Sequence, residues 1–115
     1  MELVEKERIY EMANIRTYKT NLPMVIWIFP KTGNEKHFAR IKVSKIYGDK
    51  ATNDLFPITI SDSPCLPDKN IKTGEITKQD LDKVFKFIKL NKDVLMQVWN
   101  DEITPDEAIP LFIKI

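Results

Sequence analysis

The sequence predicts an α+β fold: a small antiparallel sheet of at least three strands packed on one long helix, with an extended C-terminal tail. Three observations carry this expectation. Residues 24–29, MVIWIF, are continuously apolar, β-branched and aromatic, as in a strand covered on both faces and so central in its sheet. A second strand-like stretch, HFARIKVSKIY (37–47), follows after only PKTGNEK, whose Gly33-Asn34 marks a turn. Strands joined so closely must be antiparallel, because a parallel pair needs a long crossover. Finally, residues 78–100 lack Gly and Pro, and Leu81, Val84, Phe85, Ile88, Leu95 and Trp99 fall in one stripe at helical spacing.

The elements follow in chain order. Residues 1–12 are mixed in charge and too short to hold a helix without docking; they read as an N-terminal arm, with Met12 as an alternative start. In the 37–47 strand, alternation puts His37, Ala39, Ile41 and Val43 on an apolar face and Phe38, Arg40, Lys42 and Ser44 on the other. LFPITI (55–60) reads as a third strand with Phe56, Ile58 and Ile60 on one side. Pro57 cannot donate to a ladder, which places this strand at an edge or bulge. Residues 61–75 are rich in Pro, Asp and Ser and read as loop.

Thr77 is a good helix N-cap, with Asp80 three positions on, close to the exposed amides. The apolar stripe stays in phase across LNKD (90–93), which favours one helix over two. A second apolar side carries Phe87, Leu90, Val94 and Val98. The C-terminal segment, with Leu111, Phe112 and Ile113, or another subunit must cover it. Thr104, Pro105 and two acids start a further helical turn. The apolar tail 110–115 reads as extended, suited to adding a strand to an edge in this chain or in a partner.

The totals fit one soluble domain spanning 1–115: 115 residues, 43% hydrophobic and 30% charged. The longest apolar run, LPMVIWIF, is far short of the roughly 20 residues of a membrane helix, and MELVEKERIYEM has no signal-peptide core. A cytoplasmic protein with a reduced thiol and no membrane partner is expected. A single Cys and a single His exclude an internal disulfide and a structural zinc site. No phosphate loop or metal-ligand spacing is present, so no cofactor and no metal are expected.

Net charge is +1, but it is unevenly spread. Lys31, Lys36, Arg40, Lys42, Lys45 and Lys50 stand against Glu35 and Asp49 in 31–50, whereas 100–108 holds Asp101, Glu102, Asp106 and Glu107 and no base. Either the two segments neutralise each other or are solvated, or the basic one faces an acidic partner.

His37 is the one catalytic candidate. As a general base it would need an orienting partner and cations for a phosphate transition state, with Arg40, Lys42 and Tyr47 nearby in sequence. Alternation sets His37 and Arg40 on opposite faces, which favours a structural histidine. Phe38, Arg40 and Lys42 are the better ligand candidates: an aromatic on a strand can stack a base while cations hold phosphates. Cys65, in SPCLP, has no base beside it and reads as a buried or half-buried thiol.

MVIWIFPKTGNEKHFARIKV and TGEITKQDLDKVFKFIKLNKDVLMQVW together resemble the bacterial domain-of-unknown-function family 4160. His37-Phe38 matches its His-Phe box, Gly74 and Ile76 its helix start, and Leu95 and Trp99 its closing pair. The family's second box histidine is Ala39 here, and its helix histidine is Asn91. The resemblance implies an α+β domain in a bacterial setting of small paired genes of the toxin–antitoxin type.

The sequence thus favours a non-enzymatic protein-interaction module that binds a partner protein or itself. Its interaction patch would comprise Phe87, Leu90, Val94, Val98, Leu111, Phe112 and Ile113. The alternative is a nucleic-acid-binding protein, or a metal-independent ribonuclease-type toxin, using the basic strand face.

Overall fold

The computed structural model describes residues 13–31, 38–50 and 52–115. The fold is α+β. Four strands form an antiparallel meander in chain order: β1 (Ala13–Ile15), β2 (Ile26–Ile28), β3 (Arg40–Ser44) and β4 (Leu55–Thr59). Strand β1 is a fourth strand, consistent with the expected minimum of three. It pairs Ala13 with Ile28 and Ile15 with Ile26, which leaves β2 in the sheet interior, as its unbroken apolar run requires. A single helical turn, α1 (Thr17–Thr20), follows β1 and ends at Asn21, whose φ of 66° is left-handed. Strand β4 is an edge strand, and Pro57 sits opposite Lys42. Its missing N–H is tolerated there because, among the described residues, no strand lies beyond it.

Alternation sorts the sheet into two faces. Ile26, Ile28, Ile41, Val43, Phe56 and Ile58 are buried in one core with Leu81, Val84, Ile88, Leu95 and Trp99. Each such side chain contributes about 1.5–3 kcal/mol by leaving water.

The long helix spans 78–99 as two segments, α2 (Lys78–Leu90) and α3 (Lys92–Trp99), joined at Asn91. Thr77 caps it, accepting from the Asp80 N–H at 3.2 Å. Asn91 departs from helical geometry, with φ −116° and ψ 19°. Its N–H is shared between the carbonyls of Phe87 and Ile88, and the ladder resumes with the Leu95 N–H donating to the Asn91 carbonyl. The apolar stripe stays in phase through this joint, which is why both segments bury the same side.

After α3, Thr104 and Glu107 form a reciprocal capping box at the start of α4 (Pro105–Ala108). Residues Ile109–Leu111 then form a 3-10 turn, whereas the sequence predicts extended chain from 110 onward. Pro110 fits such a turn because its fixed φ is close to the helical value. The chain is extended from Phe112, with φ −67° and ψ 136°. Among the described residues the tail joins no strand. It packs on the second apolar side of the helix instead. The Phe112 ring meets Phe87 edge-on at 5.3 Å. The Ile113 N–H donates to Asn91 Oδ1 at 2.7 Å, and Asn91 Nδ2 donates back to the Ile113 carbonyl at 2.9 Å. The Ile115 N–H donates to the Thr20 carbonyl, and Asn21 Nδ2 to the Ile115 carbonyl.

A polar clasp fixes the start of α2 to the end of β3. The Tyr47 hydroxyl donates to Asp80 Oδ2 at 2.6 Å and accepts from the Thr77 N–H. That bond, then Lys83 at 3.1 Å, holds the Asp80 carboxyl below its ordinary 3.8. A lowered folded pKa means that the stabilisation is complete above the ordinary value and disappears as pH falls through the folded one. The stability gap between wild type and Tyr47→Phe, measured by urea unfolding, is therefore expected to be constant near neutrality and to narrow in acid. A gap that keeps its size through the acid range would refute this assignment.

Candidate ligand cleft on the open sheet face

The register that buries one face of the sheet defines the other. Asn14, Trp27, Lys42 and Pro57 lie side by side across the four strands, opposite the core. Towards β4 this face deepens into a cleft of about 560 Å³ lined by Phe38, Arg40, Lys42, Asn53, Leu55, Pro57 and Pro67. Strand β3 supplies its cations. Strand β4 supplies Leu55 and Pro57, which alternate with the buried Phe56 and Ile58. Phe38 stands at the cleft with 77% of its surface exposed.

Arg40 and Lys42 are half-buried, and aromatic rings back them. The Arg40 guanidinium lies 5.7 Å from the Phe29 ring centre and 5.5 Å from that of Trp99. The Lys42 ammonium lies 5.7 Å from Phe29. Phe29 and Trp99 themselves meet edge to face at 5.9 Å. Ring faces carry negative potential, so they hold the cations in place without neutralising them. Among the described residues no carboxylate pairs with Lys42. Asp54, on the loop before β4, is engaged by Lys45 at 3.2 Å, and Asp62, just after β4, by Lys92 at 2.8 Å. No described ion pair joins Lys42 or Lys45 to the acids of 101–107. Mutual neutralisation therefore does not quench the Lys42 charge.

Three residues singled out from one strand, Phe38, Arg40 and Lys42, thus line one cleft. Ser44, next in the same alternation, is buried, and its Oγ accepts from the Ile46 N–H. His37 lies outside the described residues. Tyr47, grouped with it in the nuclease reading, has its hydroxyl committed to Asp80 and Thr77. Cys65 is exposed, a correction to the buried or half-buried thiol expected from sequence. The cause is a backbone clasp. The Thr59 N–H donates to the Cys65 carbonyl, and the Cys65 N–H to Thr59 Oγ1, both at 3.0 Å. This turns Pro64 and Leu66 inward and leaves the thiol on the outer side.

The apolar patch needs a larger correction. Phe87 and Val98 are buried in the chain's own core, and Val94 and Phe112 are half-buried against it. The tail supplies the cover for which a second subunit was the alternative. Only Leu90, Leu111 and Ile113 of that set remain exposed, at 44%, 55% and 57%.

Asn53, Leu55, Pro57 and Pro67 were not anticipated as site residues. The pairing of Lys42 with Pro57 across an antiparallel register could have revealed Leu55 and Pro57. Pro67 reaches the cleft from an irregular loop, and no local pattern marks it.

Fold and site define an α+β meander domain with a basic, aromatic-backed cleft on its open face. No helix is long and apolar enough to cross a membrane among the described residues. Compared with protein-family models, curated proteins and solved structures, the chain matches none.

Proposed function

We propose that this protein is a non-enzymatic binding module that takes an acidic, partly apolar partner on the open face of its sheet. One observation carries the reading: Phe38, Arg40 and Lys42 converge on a cleft whose other wall is Leu55, Pro57 and Pro67. Cations beside apolar walls suit a ligand with both characters. The described lining sets the Lys42 ammonium and the Asn53 amide beside the Phe38 ring and three apolar side chains. This chemistry supports a binding role.

A polyanion column tests the reading. With a net charge of only +1, the whole molecule has little reason to bind one. Wild type is expected to be retained on phosphocellulose at low salt and to elute as salt rises. Lys42→Gln is expected to elute at markedly lower salt, with thermal unfolding close to that of wild type. Wild type passing unretained at low salt would contradict the proposal.

A further inference from the structure

The geometry points to single-stranded nucleic acid as the ligand of this cleft, with one base stacked on Phe38 and the adjoining phosphate on Lys42. The inference rests on the cleft being the anion-binding surface argued above and adds the class of anion. The choice between nucleic acid and acidic polypeptide turns on Phe38. Its ring is 77% exposed at the cleft, and an aromatic face carries the negative end of a quadrupole. A carboxylate gains nothing over such a face. A nucleobase gains a stacking contact there, while its phosphate stands off by the length of a sugar.

Spacing agrees. Same-face residues on a strand repeat at about 6.6–6.8 Å, so the Lys42 ammonium lies two such steps along the strand direction from Phe38, within reach of a phosphate flanking a base stacked there. The cleft, at about 560 Å³, lies in the range of pockets that enclose a small organic ligand, roughly 300–1,000 Å³. Leu55, Pro57 and Pro67 give the apolar walls a base requires, and the Asn53 amide can both donate to and accept from a base edge. A duplex hides its base faces and cannot use Phe38 in this way.

Fluorescence anisotropy with labelled oligouridylate and oligothymidylate tests the inference on the full chain. Salt-sensitive binding of either single strand, with weaker binding of a duplex of equal length, is expected. Phe38→Ala should weaken that binding by about an order of magnitude. Because Phe38 is largely exposed, the variant should fold normally. Lys42→Gln should flatten the dependence of log affinity on log salt by about 0.7. If polyglutamate competes as well as the oligonucleotides at equal charge and Phe38→Ala is neutral, the nucleic-acid assignment is overturned in favour of an acidic polypeptide, while the anion-binding cleft stands. If neither phosphocellulose nor any oligonucleotide is bound, both readings fall.

Discussion

Replacing Asn91 with alanine is expected to destabilise the protein by about 2–4 kcal/mol and to release the C-terminal tail. Asn91 is 2% exposed, at the joint of the long helix. Its amide donates to the carbonyls of Phe87 at 3.0 Å and Ile113 at 2.9 Å and accepts from the Ile113 N–H at 2.7 Å. Alanine strands both polar groups of Ile113 and unpins Phe112 from Phe87, a side chain with no exposed surface. In urea unfolding the midpoint should fall, and the m-value with it, because the variant's native state already exposes surface that the tail covers. Asn91→Asp keeps the acceptor but turns a carboxylate towards two carbonyls. It should be at least as damaging at neutral pH and recover partly in acid, where the protonated form can donate again. An alanine variant within about 0.5 kcal/mol of wild type would show that the tail is held by other contacts.

Gly74→Ala is expected to cost about 2–5 kcal/mol, combining left-handed strain with overpacking. Gly74 has φ +62°, and a Cβ there would come within 2.5 Å of Lys45 Cβ and 2.6 Å of the Lys45 carbonyl oxygen. That carbonyl accepts from the Glu75 N–H at 2.8 Å, so relieving the clash breaks the seam between the 61–76 loop and the end of β3. Gly48 supplies the control. Its φ is +79°, but a Cβ would meet nothing within 4 Å. Gly48→Ala should therefore cost only the strain, about 1–2 kcal/mol. Equal losses in urea unfolding would mean that the approach of Gly74 to Lys45 is not what requires glycine.

What was legible in the sequence is what local chemistry dictates. Pro57 marked its strand as an edge or a bulge, and the structure places it at the edge. Alternation in ARIKV separated Ile41 and Val43 from Arg40 and Lys42, and Thr77 and Thr104 marked two helix starts that the structure places at those residues. The rest depends on contacts between distant residues. Strand β1 is three residues long, too short for alternation, and exists because β2 offers it an edge. Asn91 fell in phase with the helix, but its partner Ile113 lies 22 residues further on; nothing local announces a buried clasp. The far wall of the cleft needs the register of β3 on β4 and the path of an irregular loop. The apolar tail was legible as one possible cover for the second side of the helix, but its hydrophobicity alone could not choose between that site, a sheet edge and a second subunit.

The most direct test of the central claim is to map where a ligand touches. Backbone amide shifts of the labelled protein, followed while a short single-stranded oligonucleotide is added, report this residue by residue. The perturbed amides are predicted to cluster at Phe38, Arg40, Lys42, Asn53 and Leu55, with the Trp27 indole responding beside them. Perturbations centred on Leu90, Leu111 and Ile113, or none near β3 and β4 at saturation, would contradict the assignment of function to the open face of the sheet.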